Sequence, residues 1–144
     1  MENLKNHPLI QKYIEYNNFG RTLGMDFTIE SAGNVTYTML ISEVHLATPI
    51  TSHGGAVAGL MDAVLGVCGL SAVCMEERLV STVEMGMHFV RPAKLNDLLT
   101  GKAEVVSKGN RILIIEGKIY NQLGEVIARG SGTFNAYPKE KAGL

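Results

Sequence analysis

His53, Gly54 and Gly55 stand at the head of a long apolar run, and Asp62 is the one acid inside it. These residue types can act together on a carbonyl carbon. A helix N-terminus leaves backbone N–H groups free, the helix dipole reinforces them, and a glycine lets a substrate come close, so Gly54 is the candidate oxyanion donor. Burial would disfavour the ionised form of Asp62 and make it more basic, which suits a general base or a nucleophile that attacks through an anhydride. The plainer alternatives are a tight loop-to-helix entry at residues 53–55 and a core carboxylate satisfied by backbone or by a nearby threonine. His53 either donates to the substrate carbonyl or braces the turn.

Asp62 lies eight residues beyond Gly54, about 12 Å along a helix at the usual rise, so the two cannot meet at one carbon within one chain. Two chains with their helices antiparallel across a two-fold axis bring Gly54 of one to Asp62 of the other, which makes two equivalent sites per dimer. The expected partner is a second copy of the chain, as a homodimer that pairs into a homotetramer.

Those residues need elements to hold them. Pro8 suits the first turn of a helix, and Leu9, Ile10, Tyr13 and Ile14 repeat at helical spacing up to a break at Gly20–Gly24. "MDFTIES", the turn "SAGN" and "VTYTMLI" read as a hairpin, and "EVHLATPITS" as a loop leading into a helix that starts near His53 or Gly54. "VSTVEMGMHFV" alternates, with Val83, Met85, Met87 and Phe89 on one face and Thr82, Glu84, Gly86 and His88 on the other. Three more strands follow through the turns "SKGN" and "NQLG". Gly130 and Gly132 share one strand face, where a neighbouring backbone, expected to be the central helix, can come close. The fold class expected is α+β: a curved antiparallel sheet around one long central helix, the hotdog topology.

The remaining features bound the function. A chain of 144 residues, 46% hydrophobic, forms one domain, with a helical segment over 1–24 and the core over 25–137. Its net charge of -1 is scattered, which argues against nucleic acid and anionic membranes as partners. Ala56–Met75 is long enough to span a bilayer, but it lacks Lys/Arg flanks, is rich in Gly and Ala, and precedes strands that need something apolar to pack on. It is read as a core helix. Cys68 and Cys74 are read as reduced core residues, and His7, His45 and His88 are too scattered for a metal site. The N-terminus has no signal-peptide pattern, so a cytoplasmic location is expected.

"HLATPITSHGGAVAGLMDAVLG" resembles the His-Gly-Gly to Asp segment of the phenylacetate-pathway (PaaI-like) type of hotdog acyl-CoA thioesterases, with Asp62 nine residues after His53 as in that family. "VEMGMHFVRPAKLNDLLTGKAEVVSKGNR" and "GEVIARGSGTF" are similar to its later strands, so the likeness runs from about Met25 to Phe134. The resemblance implies hydrolysis of an aryl- or medium-chain acyl-CoA to free acid and CoA, with Asp62 as base or nucleophile, Gly54 N–H from the partner subunit as oxyanion donor, and no cofactor. Thr82 matches a strand position where relatives carry a Ser or Thr that positions water; strand propensity is its alternative. Gly55, Arg91 and the turn residues Lys108, Gly109 and Arg111 match substrate- and CoA-binding regions of relatives, with solvated turn charges as the alternative for the cations.

One position departs from the pattern. Many relatives carry Asn or Gln six residues before the histidine, where this chain has Ala47; Thr48, Thr51 and Ser52 are the nearest substitutes. The departure favours a second reading, an acyl-CoA-binding or regulatory protein without turnover. A hydratase on the same fold lacks its His/Asp loop pattern here.

Overall fold

The computed structural model describes residues 3–144, so the first two positions of the expected helical segment lie outside it. Pro8 opens α1 (Pro8–Tyr16), capped by His7 Nδ1, which accepts from Leu9 N–H. The single N-terminal helix expected from periodicity is two helices. Asn17 leaves helical geometry and caps α2 (Asn18–Thr22) by accepting from Gly20 N–H, a role short polar side chains fill well. β1 (Met25–Ser31) and β2 (Asn34–Leu40) form the expected hairpin, with Gly33 in the left-handed region at its turn.

α3 (Gly54–Val73) follows, capped by His53. Then come β3 (Arg78–Phe89), β4 (Leu98–Lys108), β5 (Ile112–Tyr120) and β6 (Val126–Pro138). The six strands make one antiparallel sheet in the order β1-β2-β4-β5-β6-β3. α3 touches every strand, so the sheet curls around it as the hotdog topology requires.

Twelve of the 20 residues of α3 are buried, among them Leu60, Met61, Val64 and Leu65, which meet Val35, Leu99, Ile115 and Phe134 in one core. Each large side chain so buried contributes about 1.5–3 kcal/mol. The helix is long and apolar enough to cross a membrane by length and composition, and 67% of its most apolar stretch is buried inside this fold. Ser71 fixes it against the first hairpin: its hydroxyl accepts from Gly33 N–H at 2.9 Å and donates to Cys68 O. Cys68 and Cys74 are buried free thiols.

Two expectations about the sheet are corrected. β3 does not alternate strictly: Thr82 pairs with Phe134 and Glu84 with Thr133, leaving Val83 as an extra residue in a β-bulge. A bulge shifts the two-residue period by one. Thr82 therefore shares its face with Met85, Met87 and Phe89, toward α3, and Val83 is exposed. The glycines of β6 are approached by β3 and by side chains, not by the helix backbone. A Cβ at Gly130 would come 2.8 Å from Gly86 O, and one at Gly132 would come 2.7 Å from the Phe134 ring.

β3 is also an edge. Its inner side pairs with β6, and its outer side pairs with no strand among the described residues, over 12 residues. Long unpaired edges recruit another strand unless something covers them.

Candidate active site

The loop before α3 is held from several sides. His45 is buried: its Nδ1 accepts from Ser42 N–H at 2.9 Å, which puts the proton of the neutral ring on Nε2, bonded to Leu23 O at 2.8 Å. His53 N–H donates to His45 O at 2.7 Å, and Ser52 N–H to Ala93 O at 2.8 Å. So anchored, His53 turns its Nδ1 onto Gly55 N–H at 2.7 Å. That bond closes one free donor of the helix start and leaves the Nε2–H of the neutral ring available. Gly54 N–H donates to none of the described residues. Gly54 lines a groove of about 180 Å³ with Phe89, Val90 and Arg91, its ideal Cβ position 3.6 Å from the Phe89 ring.

Asp62 opens onto a different cleft. Within the chain it is exposed, which corrects the expectation of a buried carboxylate: one sheet does not reach around this side of α3. Its Oδ1 accepts from Thr82 Oγ1 at 2.8 Å, and Oδ2 has no partner among the described residues. The bulge at Val83 makes this contact possible, because strict alternation would turn Thr82 outward. The cleft is about 710 Å³ and is walled by Tyr13, Phe19, Gly66, Thr82 and Phe134. Gly59, Ala63 and Gly66 share its floor with Asp62. Their spacing puts them on one side of α3, and their small size leaves the room.

The chain thus keeps Gly54 and Asp62 apart, and no residue lines both hollows. A larger hollow, about 1170 Å³, lies on the outer face of the sheet among Lys102, Glu104, Glu116, Lys118 and Arg129, and holds neither residue. No group of three or more His, Cys, Asp or Glu side chains that could hold a metal occurs among the described residues.

The cations expected to meet CoA are distributed unevenly. Arg91 lines the Gly54 groove, donating to Val126 O at 3.1 Å and lying 3.6 Å from Glu125. Lys108 is committed to Glu76 at 2.6 Å and to Ala72 O, and holds the Glu76 carboxyl below its usual range together with Arg78. Arg111 lines a hollow of about 310 Å³ beside Arg78 and Lys141, with no side-chain partner among the described residues. Gly109 serves the β4–β5 turn, its N–H bonded to Ile112 O at 2.8 Å. Around Ala47, the Thr48 and Thr51 hydroxyls bond each other, and Ser52 Oγ bonds the His45 and His53 carbonyls. The Thr48 oxygen already accepts from Ile50 and Thr51 N–H, so one hydroxyl proton of the Thr48–Thr51 pair has no acceptor among the described residues.

Sequence reasoning missed the polar group at the N-terminal end of the Asp62 cleft. Tyr13, counted only in the periodicity of α1, lies 3.0 Å from the Tyr37 hydroxyl, which also receives Asn17 Nδ2–H. Three positions from separate elements meet there, and no local motif signals such a meeting.

The family model described as the thioesterase superfamily matches residues 51–128, just over half of the chain. Acyl-coenzyme A thioesterase 13 of Homo sapiens is 28% identical over 128 residues, covering 87% of this chain and 89% of that protein. The E. coli PaaI protein from the phenylacetic acid degradation operon superposes with a TM-score of 0.81 at 21% identity, covering 88% of this chain and 89% of that one. A hypothetical thioesterase protein of Streptococcus pneumoniae TIGR4, solved with coenzyme A, gives 0.72 at 23% identity, covering 79% and 89%. With a PaaI-like hotdog fold and a family match that begins at Thr51 and runs through His53, Gly54, Asp62 and Thr82, this chain belongs to the thioesterase superfamily.

Proposed function

We propose that the protein is an acyl-CoA thioesterase that hydrolyses an aryl- or medium-chain acyl-CoA at a site shared between two subunits. The observation that carries this reading is the Asp62 carboxylate on the wall of the 710 Å³ cleft, oriented by Thr82 through Oδ1 and with Oδ2 unengaged. As general base, Asp62 takes a proton from water, and the hydroxide attacks the thioester carbon. The oxyanion is received by Gly54 N–H of the partner subunit, and His53 Nε2–H is a second donor beside it. The C–S bond then breaks, Asp62 returns its proton to the CoA sulfur, and acid and thiol leave. As nucleophile, Asp62 would form an acyl anhydride that water opens to the same products.

The unpaired edge of β3 supports the sharing. Gly54 packs beside Phe89 at the end of that strand, and Asp62 bonds Thr82, on the other side of Gly86. If two β3 edges pair antiparallel about Gly86, Met85 lies opposite the partner's Met87. Phe89 then reaches the bulged positions Thr82 and Val83 of the partner, so each Gly54 comes to the other chain's Asp62. Arg91, beside Gly54 and only loosely paired with Glu125, is the nearest cation for the CoA phosphates, and Arg111 has no side-chain partner among the described residues, whereas Lys108 is tightly paired with Glu76. The acyl-CoA and CoA named for the human and pneumococcal proteins agree with this ligand class.

A panel of aryl- and medium-chain acyl-CoAs, read by release of free thiol, tests the reading. Turnover of at least one ester is expected, with a loss of about 10²–10⁴-fold in kcat for Asp62→Asn and an unchanged melting profile. A second reading, binding without turnover, is favoured by Ala47, which stands six residues before His53 and carries no amide. It requires calorimetric binding of the esters by folded dimer, no thiol release, and the same affinity in Asp62→Asn.

A further inference from the structure

Tyr37 is fully buried, and its hydroxyl has two neighbours: Asn17 Nδ2, which donates to it at 3.3 Å, and Tyr13 Oη at 3.0 Å. The orientation of Asn17 is fixed, because its Oδ1 accepts from Gly20 N–H at 3.1 Å and so turns the amide NH₂ toward Tyr37. Gly20 leaves the space for this, since a Cβ there would come 2.3 Å from Asn17 Nδ2. An amide NH₂ donates and does not accept, so the one acceptor within reach of the Tyr37 proton is the Tyr13 oxygen. The reverse arrangement makes the Tyr37 oxygen accept twice and orphans its own proton inside the core, at the full desolvation penalty of that group. Tyr37 therefore donates to Tyr13, and the Tyr13 proton is left over.

That proton has no acceptor among the described residues, and Tyr13 lines the Asp62 cleft. Burial keeps the proton on Tyr13, as does the negative charge of Asp62, against the opposing pull of the Tyr37 bond. Asp62 makes no hydrogen bond to Tyr13. The surrounding wall is largely apolar, with Met25, Val67, Leu70, Val80 and Phe134. A plain alkyl chain laid there strips water from the hydroxyl and returns nothing. A chain with an oxygen at that depth satisfies it.

We propose that Tyr13 is a specificity-determining residue whose hydroxyl donates to an oxygen on the bound acyl group, selecting acyl chains that carry a carbonyl, ether or hydroxyl oxygen away from the thioester. The inference rests on the acyl-CoA reading above and adds the class of acyl group. The pairs to compare are octanoyl-CoA with 5-oxooctanoyl-, 7-oxooctanoyl- and 8-hydroxyoctanoyl-CoA, by kcat/KM. The same chains as non-hydrolysable S-alkyl-CoA thioethers are compared by calorimetry. At least one oxygenated chain is expected to exceed its parent by about 3–10-fold, and the ratio is expected to fall to about one in Tyr13→Phe.

Removing the Tyr13 oxygen also orphans the Tyr37 proton. The Tyr13→Phe, Tyr37→Phe pair removes donor and orphan together and carries the measurement if the single variant unfolds. No preference for any oxygenated chain, a preference that survives Tyr13→Phe, or an equal kcat loss for every ester would overturn the proposal. Absence of all turnover, with the thioether binding ratio intact and abolished by Tyr13→Phe, would sink the hydrolytic reading and leave this contact standing.

Discussion

A carboxylate on an apolar helix persists when it reaches water or a donor, and Asp62 has both within one chain: an exposed side and the Thr82 hydroxyl at 2.8 Å. Gly54 is the complementary case, a backbone donor at a helix start without an acceptor among the described residues. Gly54→Pro separates its chemistry from its packing. The first helical position tolerates proline, His53 at φ -63° and ψ 138° already has the geometry a following proline demands, and a Cβ there meets the Phe89 ring at an ordinary 3.6 Å. The variant is expected to fold with an unchanged melting temperature and to lose about 10²–10³-fold in kcat, measured by thiol release. Undiminished turnover would remove Gly54 from the oxyanion site. Asp62 and Gly54 were legible in sequence because an acid in an apolar run and paired glycines before it stand out locally. Thr82 was legible through the family resemblance but not through alternation, which put it on the outer face, since the contact depends on a one-residue bulge at Val83 that no turn residue announces. The proton left on Tyr13 was beyond reach for a related reason: it follows from Asn17, Gly20 and Tyr37 meeting in space.

At the scale of elements, the helix, the hairpins and the strand order around one core followed from apolar runs and turn residues. Finer register did not. Alternation failed at the bulge, and one N-terminal helix became two where Asn17 found a better role as a cap. The wrapping of α3 by the sheet also sets a response to alkali. Cys68, on the buried side of α3, has its thiol pushed up by desolvation from the usual 9.0 to about 12. The folded state thus keeps a proton that the unfolded state has lost. Stability from this group is complete below about pH 9 and is lost as pH rises toward 12, at about 1.4 kcal/mol per pH unit within that window. Buried Tyr37, also raised, acts in the same direction above about pH 10. Urea midpoints should stay nearly level from pH 8 to 9 and then fall at pH 10 and 11 for the unaltered chain, less steeply for Cys68→Ala. Identical slopes for the two would show that Cys68 is not held in this way.

At the scale of the whole molecule, the two halves of the proposed site lie in hollows that share no residue, and the 12-residue edge strand has no outer partner among the described residues. The proposed pairing of those edges would cover the strand and bring each Gly54 to the other chain's Asp62. The expectation of a shared site began from the 12 Å helix rise between the two residues, and the β3 pairing proposed about Gly86 adds a register to it. Mixing two inactive variants tests this most directly. Asp62→Asn retains Gly54, and Gly54→Pro retains Asp62, so a mixed dimer holds one site with both groups intact. After the two are unfolded together and refolded at equal concentration, half of the dimers are mixed and each has one working site of two. Thiol release should then recover to about one quarter of the unaltered protein's rate, far above either variant alone. A mixture no more active than its two components, with mixed dimers verified by mass, would contradict the shared site.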